Sequence, residues 1–384
     1  MVRVPVPRLD RLADVQRSFT SKLRSEKVTS QLGLALAVAF SICFLTGYLS
    51  HAIQHPPAWF FWPSRPVNLY RFTQGLHVAT GFALVPLVSA KLWSVYPRFF
   101  EFPPVRNAAH ALERLSIAVL VSAALFEIVT GILDVAHWYS PMPFAFIAAH
   151  YWTAWLVTGA ILTHIAVKLP IVRRALARQE TPEQRHGRRA FLGAVAGTAG
   201  VVTLATVGQT VRPLAAVSVL GPRDPRRGPQ GLPVNTSAAA AGVLDVIADP
   251  RYRMELIGPN GSRMLSLAEL AALPQHTVSL PIACVEGWSV SATWTGVRIR
   301  DLVELAGGSL EAQVLVESLQ RGSAYSASVL APVHVADPLS LLALRVDGAV
   351  LEADHGYPCR LIAPNRPGVM QTKWVARVSV GSKP

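Results

Sequence analysis

Histidines interrupt the long apolar stretches of this sequence. His77, His150 and His164 lie inside such stretches, and His110 comes just before another. A polar residue at membrane depth is costly and is a functional candidate by default. Neutral imidazole is the standard axial ligand of haem iron. The four histidines therefore predict b-type haem, with interfacial histidines that anchor helix ends as the alternative.

The spacing of two histidines bears on how many haems there are. His150 and His164 are fourteen residues apart. In a helix this separation is about 21 Å along the axis, and the two side chains lie within about 40° of one face. One helix can then supply a ligand to each of two haems. We expect His77 to pair with His150 at the outer side and His110 to pair with His164 at the inner side, with a single haem as the alternative.

Cys284 is the second candidate for chemistry. It ends the β-like run LPIAC and is followed by Gly287 and Trp288, which suits a thiolate that is held at a turn. A thiolate prefers soft metals, although most single buried cysteines only fill space. Cys43 and Cys359 are the other two cysteines, and no CxxC pair or zinc spacing occurs. A disulfide scaffold and a structural zinc site are therefore not expected.

The composition indicates that much of the chain is embedded in a membrane. Hydrophobic residues make up 51% and charged residues 15%, whereas soluble domains average about 25% charged residues. Apolar runs near the ~20 residues needed to span a bilayer recur along the first half. We predict an all-α transmembrane four-helix bundle plus a fifth transmembrane helix. The runs cover residues 31–50, 69–95, 115–138, 145–169 and, more weakly, 191–211.

Positive charge follows the expected membrane topology. The net charge is +13, and Lys and Arg concentrate before the first run and between the fourth and fifth. Cytoplasmic loops carry such an excess, so the N-terminus is predicted to be cytoplasmic. An odd number of spans then places the C-terminal domain outside. Because topology accounts for the basic residues, we do not expect nucleic acid as a partner.

The predicted organisation has six parts. Beyond a Pro/Gly/Arg linker, short β-like runs alternate with turns, and short helices are expected over 267–272 and 299–305. This pattern predicts an α+β, mainly β, domain. The parts are a cytoplasmic basic tail (1–29), a haem b membrane domain (30–170), a cytoplasmic basic loop (171–190), a fifth transmembrane helix (191–212), a linker (213–233) and the C-terminal domain (234–384).

A pair of arginines precedes the fifth apolar run. Arg188 and Arg189 are followed by Phe191 and Leu192. The stretch resembles a twin-arginine export signal, although such signals are normally N-terminal. Export of a folded, cofactor-loaded domain would explain it. The alternative is a positive-inside anchor for an ordinary helix.

Two family resemblances extend these predictions. The His150–His164 spacing is similar to the fourth helix of the di-haem cytochrome b subunits of formate dehydrogenases and nickel hydrogenases, over about residues 30–170. That family takes a further haem ligand from the inner half of its first helix, where this sequence has no histidine. The motifs CVEGWS, WTGVRIRDL and DHGYPCRLIAPNRPGVMQTKWV resemble the sulfite-oxidase-type molybdopterin domain, most closely that of bacterial periplasmic methionine sulfoxide reductases.

The second resemblance implies a cofactor and its contacts. It implies a sulfite-oxidase fold around one molybdopterin, with molybdenum bound by Cys284. Met370 replaces the lysine of the family's phosphate loop, and His355 replaces an asparagine of the reductases. By position, the residues implied to contact the cofactor are Cys284, Arg360, His355, Ser318, Gly368, Val369, Lys373 and Asn235.

Together these features predict a redox enzyme in the plasma membrane of a bacterium. Oxygen-atom transfer at molybdenum outside the membrane would be coupled through one or two b-type haems to quinone. A small-molecule or protein sulfoxide is the expected substrate, and we expect a monomer. The alternatives are oxidation of sulfite with electrons passed to quinone, and a non-catalytic electron-transfer or binding module.

Overall fold

The structure is a computed structural model, and its residues form two compact units. The helical unit contains the described residues up to Leu45 together with His77–Thr206. The C-terminal unit contains Thr46–Leu76 and the described residues from Val207 onward. The first part of the predicted basic tail, residues 1–17, lies outside the described residues. The structure describes residues 18–381 except 102, 104, 225 and 226.

The described residues form five long helices, one at each predicted apolar run. All five are long and apolar enough to cross a membrane, which confirms the five candidate spans. A helix pairs most of its backbone polar groups within the segment, which suits a bilayer. The helices are α1 (Glu26–Gln54), α2 (Leu69–Val95), α3 (Ala108–Val135), α4 (Phe146–Ala177) and α5 (Pro182–Thr206).

Local sequence accounts for where some of these helices begin and bend. Asn107 caps α3, because its side chain accepts a hydrogen bond from the backbone N–H of His110 at 2.9 Å. Such a cap satisfies one of the free N–H groups at a helix start. Pro86 lies inside α2 and Pro170 inside α4, where proline removes one backbone hydrogen bond from each helix.

Two five-stranded sheets form most of the C-terminal unit. The first has the order β2-β1-β10-β5-β6, with β1 and β10 parallel and the other neighbours antiparallel. The second has the order β3-β4-β7-β8, and β9 pairs with β7. The strands are β1 (Arg253–Gly258), β2 (Gly261–Ser266), β3 (His276–Ala283), β4 (Ser289–Arg298), β5 (Val314–Ser318), β6 (Ala327–Leu330), β7 (Leu341–Val346), β8 (Ala349–Val350), β9 (Arg360–Ile362) and β10 (Val375–Val380).

Short helices connect these strands. The two that were predicted, over 267–272 and 299–305, are present with those bounds. Ser266 and Glu269 form a capping box at the start of the first, which fixes its position after β2. The short helices are α6 (Leu244–Ala248), α7 (Leu267–Ala272), α8 (Ile299–Leu305) and α9 (Pro332–Val335).

A buried cluster beneath the second sheet positions the end of β3. Leu280, Ile282 and Cys284 from β3 and the turn after it pack with Trp294 of β4. Trp294 is fully buried, and its size makes it the main filler of this core. The next residues of β4 shift register at Gly296, where a Cβ would overlap the Leu342 carbonyl of β7. These contacts make β3 a rigid support for Cys284.

The segment Thr46–Leu76 joins the C-terminal unit through Asn365. The Asn365 side chain accepts a hydrogen bond from Tyr70 N–H at 2.6 Å and donates one to the Pro63 carbonyl at 2.7 Å. Its own carbonyl accepts from Trp62 Nε1 at 2.7 Å. Asn365 has a φ of 56°, a region that asparagine adopts more readily than most residues. This one residue therefore holds both ends of the segment 62–70.

Apolar and ionic contacts add to this attachment. Arg65 donates two hydrogen bonds of 3.0 Å to the Asp337 carboxylate. Tyr70, Ile53 and Ala283 form a buried cluster, and Met370 packs against it. The segment therefore reaches the strand end that carries Cys284, although it lies about 300 residues before Asn365 in sequence.

The Asn365 contacts predict the effect of a substitution. Asn365→Ala should lower the free energy of unfolding by about 3 kcal/mol, because it leaves Tyr70 N–H and the Pro63 carbonyl buried without partners. Thermal unfolding of the purified protein in detergent measures the change. Glu311→Ala, at an exposed position of the same unit, is the control, and equal melting temperatures for the two variants would contradict the assignment.

Candidate molybdenum-cofactor site

Cys284 begins a tight turn directly after β3. Its N–H donates to the Trp288 carbonyl at 2.8 Å, and its carbonyl accepts from Gly287 N–H at 3.1 Å. Gly287 has a φ of 85°, a conformation that a side chain would disfavour. Only 2% of Cys284 is exposed. The turn 284–288 therefore presents a buried sulfur in a fixed direction.

The Cys284 sulfur accepts a hydrogen bond from Asn235. Asn235 Nδ2 lies 2.9 Å from Sγ. The Asn235 Oδ1 atom accepts from Trp288 Nε1 at 3.0 Å and from Arg223 Nη1 at 2.8 Å. These two donors orient the amide so that its N–H group points at the sulfur. A hydrogen bond to a sulfur favours the thiolate form, which is the form that binds a metal.

An ion pair lies behind Asn235. Arg223 Nη1 is 2.6 Å from Glu286 Oε2, and Arg223 Nη2 donates to the Val234 carbonyl at 3.2 Å. Glu286 is buried and lies two residues after Cys284. Arg223 lies in the predicted linker, and the sequence predicts no role for it. The prolines, glycines and other arginines around it carry no signal that singles out this residue.

The loop 368–370 packs on Cys284. Pro367 pairs with Ala283 in a parallel bridge. A Cβ at Gly368 would lie 3.6 Å from the Cys284 Cα and 3.1 Å from Ile282 Cγ2. The backbone of Gly368 therefore runs beside the cysteine, and Val369 follows it in the same short helical turn. Glycine permits this close approach.

Three predicted cofactor residues form a buried basic cluster. Arg360 donates to the His355 carbonyl at 3.0 Å, and His355 Nε2 donates to the Pro229 carbonyl at 2.6 Å. Burial lowers the pKa of His355 to about 4, so its ring is neutral at physiological pH. Burial also lowers the pKa of the Arg360 guanidinium, and burial together with nearby Arg360 lowers the pKa of Lys373 to about 7. The cluster favours an anion, since an anion would restore these pKa values.

Lys373 connects this cluster with the cysteine. Its Nζ donates to the Thr236 carbonyl at 2.5 Å and to the Asp354 carbonyl at 2.9 Å, and Thr236 follows Asn235. Ser318 Oγ donates to the Lys373 carbonyl at 2.7 Å. The structure therefore brings Ser318 to the backbone of Lys373, and Lys373 to the backbone next to Asn235.

The donor groups fit a metal that brings most of its own ligands. Among the described residues, no group of three or more His, Cys, Asp or Glu side chains could hold a metal ion. Cys284 would thus be a single protein ligand. Within the same described part of the chain, the buried Arg360 Nε has no hydrogen-bond partner. A buried donor without a partner is costly, and a phosphate oxygen matches the donor geometry of arginine. The site therefore fits molybdopterin, with a phosphate at Arg360.

In the helical unit, His77 and His150 approach a common carboxylate. His77 Nδ1 is 2.8 Å from the Cys43 carbonyl. His150 Nδ1 is 3.1 Å from Thr130 Oγ1, and its Nε2 is 3.2 Å from Glu127 Oε2. When Nδ1 of a histidine is held in this way, Nε2 is the atom that faces a metal. In both rings Nδ1 is held by a neighbouring oxygen. The Glu127 carboxylate lies next to Nε2 of His150.

His110 and His164 are near Glu113. Both interact electrostatically with its carboxylate. Glu113 also pairs with Lys168 of α4, and His110 Nδ1 accepts from Arg106 N–H at 3.2 Å. The pairing of His77 with His150 and of His110 with His164 on haem iron stays a prediction.

None of the three cysteines, all of which lie among the described residues, forms a disulfide. Cys359 is fully buried in the core, and burial raises the pKa of its thiol to about 12. Tyr252 OH lies 3.2 Å from its sulfur. Cys359 is thus a structural thiol, and Cys284 remains the cysteine with the surroundings of a ligand.

Comparison with known proteins defines the class of the C-terminal domain. Residues 241–384 match the family described as "Oxidoreductase molybdopterin binding domain". Mitochondrial sulfite oxidase of Mus musculus is 34% identical over 164 residues, covering 35% of this chain and 30% of that relative. This part of the chain is therefore a molybdopterin oxidoreductase domain of the sulfite oxidase family.

Two further matches come from bacteria. A "Putative protein-methionine-sulfoxide reductase subunit YedZ1" of Azospira oryzae is 30% identical over 130 residues, covering 34% of this chain and 48% of the relative. The sulfane dehydrogenase SoxCD of Paracoccus pantotrophus has a TM-score of 0.32 and 23% identity, covering 35% of this chain and 39% of that chain. The chain spans less than a third of the mammalian sulfite oxidases that it matches.

The Arg360 environment predicts opposite effects with and without cofactor. Arg360→Met should reduce bound molybdenum by about tenfold or more, because it removes a charge-assisted contact to phosphate. Without cofactor the same variant should melt at the wild-type temperature or above, because a desolvated charge is gone. Metal analysis and thermal unfolding measure the two effects. Arg345→Met, at an exposed arginine, is the control, and a variant with full molybdenum content would refute the role.

Proposed function

We propose that the chain is a membrane-bound molybdopterin-dependent oxidoreductase that reduces a sulfoxide-like substrate outside the bacterial plasma membrane. The observation that carries this proposal is the Asn235–Cys284 hydrogen bond of 2.9 Å, with the partly buried Lys373 bound to the carbonyl of the adjacent Thr236. Cys284 would hold molybdenum, and Arg360, His355, Ser318, Gly368, Val369, Lys373 and Asn235 would surround the pterin. When bound, this cofactor supplies two-electron oxygen-atom transfer.

The protein groups have defined tasks in this proposal. Asn235 holds the Cys284 sulfur in its thiolate form, and the Arg223–Glu286 pair fixes the Asn235 amide. Arg360 and Lys373 bind the anionic part of the cofactor. Reduction of a sulfoxide to a thioether and water consumes two electrons and two protons. The chain must therefore receive electrons one pair at a time or in two single steps.

Haem b in the helical unit would supply these electrons. His77 and His150 are the proposed ligands of one haem, because each has its Nδ1 held and its Nε2 directed elsewhere. Glu127 would move from His150 Nε2 when iron binds. His110 and His164 are the proposed pair for a second haem. Quinone in the bilayer is the proposed electron donor, and the chain is proposed to act as a monomer.

The proposed topology has a cytoplasmic N-terminus and an extracytoplasmic C-terminal domain. Five candidate spans and the basic loops support it. Arg188 donates to Glu180 at 2.9 Å and to Gln31 at 2.8 Å. These contacts give Arg188 a packing role, and they favour the helix-anchor interpretation of the arginine pair over an export signal.

Sulfite oxidation is the second candidate function. The mammalian sulfite oxidases among the relatives favour it, at 32–35% identity. Electrons would then flow from molybdenum to haem and quinone. Both candidates use the same site and differ in the substrate and in the direction of electron flow.

A redox assay tests direction and site together. In purified protein, a sulfoxide should reoxidise dithionite-reduced haem, whereas sulfite should leave oxidised haem unchanged. Cys284→Ser should lower the reoxidation rate by at least about 100-fold, because the metal loses its protein ligand. Cys359→Ala is the matched control and should keep the rate. Reduction of oxidised haem by sulfite would support the second candidate instead, and a fully active Cys284→Ser variant would exclude both.

The haem ligands are tested by absorption spectra of reduced membranes. His77→Ala or His150→Ala should remove a b-type signal, because each removes an axial ligand. If two haems are present, His77→Ala or His150→Ala should lower the signal by about half. Adding His164→Ala to either variant should then remove the remaining signal. His186→Ala, at an exposed histidine, is the control. A wild-type spectrum without any b-type bands would overturn the haem proposal and leave the molybdenum site untouched.

A further inference from the structure

The turn that carries Cys284 receives hydrogen bonds from outside the strands. Its five carbonyls, from Cys284 to Trp288, all have donors. The first and last are paired within the turn, through Gly287 N–H and Cys284 N–H. The three between them accept from side chains that lie far away in sequence. Those side chains belong to Gln74, Gln209 and Thr210.

Each of the three side chains donates a hydrogen bond to a different carbonyl, and their order along the chain is the same as that of the carbonyls. Gln74 Nε2 donates to the Val285 carbonyl at 2.6 Å, and Gln209 Nε2 donates to the Glu286 carbonyl at 3.2 Å. Thr210 Oγ1 donates to the Gly287 carbonyl. All three side chains are at least 95% buried, so water does not compete for these carbonyls. The hydrogen bonds are therefore the means by which the turn keeps its shape.

The donors come from helix ends of the C-terminal unit. Gln74 lies in the first turns of α2, within the segment Thr46–Leu76. Gln209 and Thr210 follow the end of α5. Gly75 lets these two places approach, since a Cβ there would lie 3.2 Å from Thr210 Cγ2. The matched family covers residues 241–384 and contains none of the three donors.

Two further features show that this arrangement is specific. Gln209 Oε1 accepts from Arg223 N–H at 3.0 Å, so the residue that holds the Glu286 carbonyl also holds the backbone of the arginine that orients Asn235. Gln74 Oε1 is buried and has no hydrogen-bond partner among the described residues. An unsatisfied buried acceptor lowers stability. The fold therefore retains Gln74 next to the turn at a cost in stability.

We propose that Gln74, Gln209 and Thr210 are positioning residues for the Cys284 ligand. They fix the direction of the sulfur through the carbonyls of the turn and touch neither the sulfur nor a substrate. This inference rests on the proposed role of Cys284 as the molybdenum ligand. In this proposal, residues at the ends of two candidate membrane spans position the metal ligand. These residues lie outside the part of the chain that matches the molybdopterin-binding family.

Amide hydrogen exchange tests the turn without reference to metal. In the full-length protein, Thr210→Val should increase exchange of the Cys284 and Gly287 amides by about tenfold, because the Gly287 carbonyl loses its donor and the turn opens more often. Thr210→Ser retains the hydroxyl and should restore slow exchange. Thr277→Val is the matched control, since Thr277 pairs with Thr295 at an exposed position of β3.

Electron paramagnetic resonance of Mo(V) tests the effect on the ligand. Thr210→Val and Gln209→Met should shift the g values of the loaded protein while molybdenum content stays at the wild-type level, and Thr210→Ser should restore them. Unchanged g values and unchanged exchange in both variants would overturn the positioning role. Failure of the proposed function has a different signature: wild-type protein without molybdenum, or Cys284→Ser with a wild-type Mo(V) signal. The exchange experiment would still judge the turn in that case.

Discussion

A buried turn can keep its shape only if each of its backbone carbonyls finds a donor. The turn 284–288 has five buried carbonyls and cannot pair them all within itself, because a turn of this length closes with one or two internal hydrogen bonds. Gln74, Gln209 and Thr210 complete the set. This turn sets the direction of the Cys284 sulfur and the orientation of Asn235. It also determines how closely the loop 368–370 approaches.

Electrostatics explains the second half of the site. Arg360 and Lys373 are buried next to each other, and burial lowers the pKa of both. Among the described residues, neither forms a salt bridge with a carboxylate, in contrast to Arg223, which pairs with Glu286. A buried cation that is paired with a carboxylate has its charge balanced by the protein, whereas a buried cation without such a pair favours an anion. This difference separates the residues that shape the site from those that would bind a phosphate.

Sequence patterns predicted the helices and strands better than they predicted the tertiary contacts. Five apolar runs and the short helices over 267–272 and 299–305 were predictable, because hydrophobic periodicity and turn residues are local signals. Cys284 and Arg360 were found through motifs. The sequence did not predict the roles of Arg223, Gln74 and Gln209. A single polar residue gives no local sign of a partner that is 63 to 211 residues away.

The C-terminal unit is discontinuous along the chain. Residues 77–206 lie between its two parts, so they form an insertion within a domain whose first part is synthesised before them. Closing such a long loop adds little entropy cost beyond that of a shorter one, which makes the insertion tolerable. A gene divided after residue 206 would place Gln74 and the cysteine turn on different polypeptides. The Val285 carbonyl would then keep its donor only while the two polypeptides stay associated.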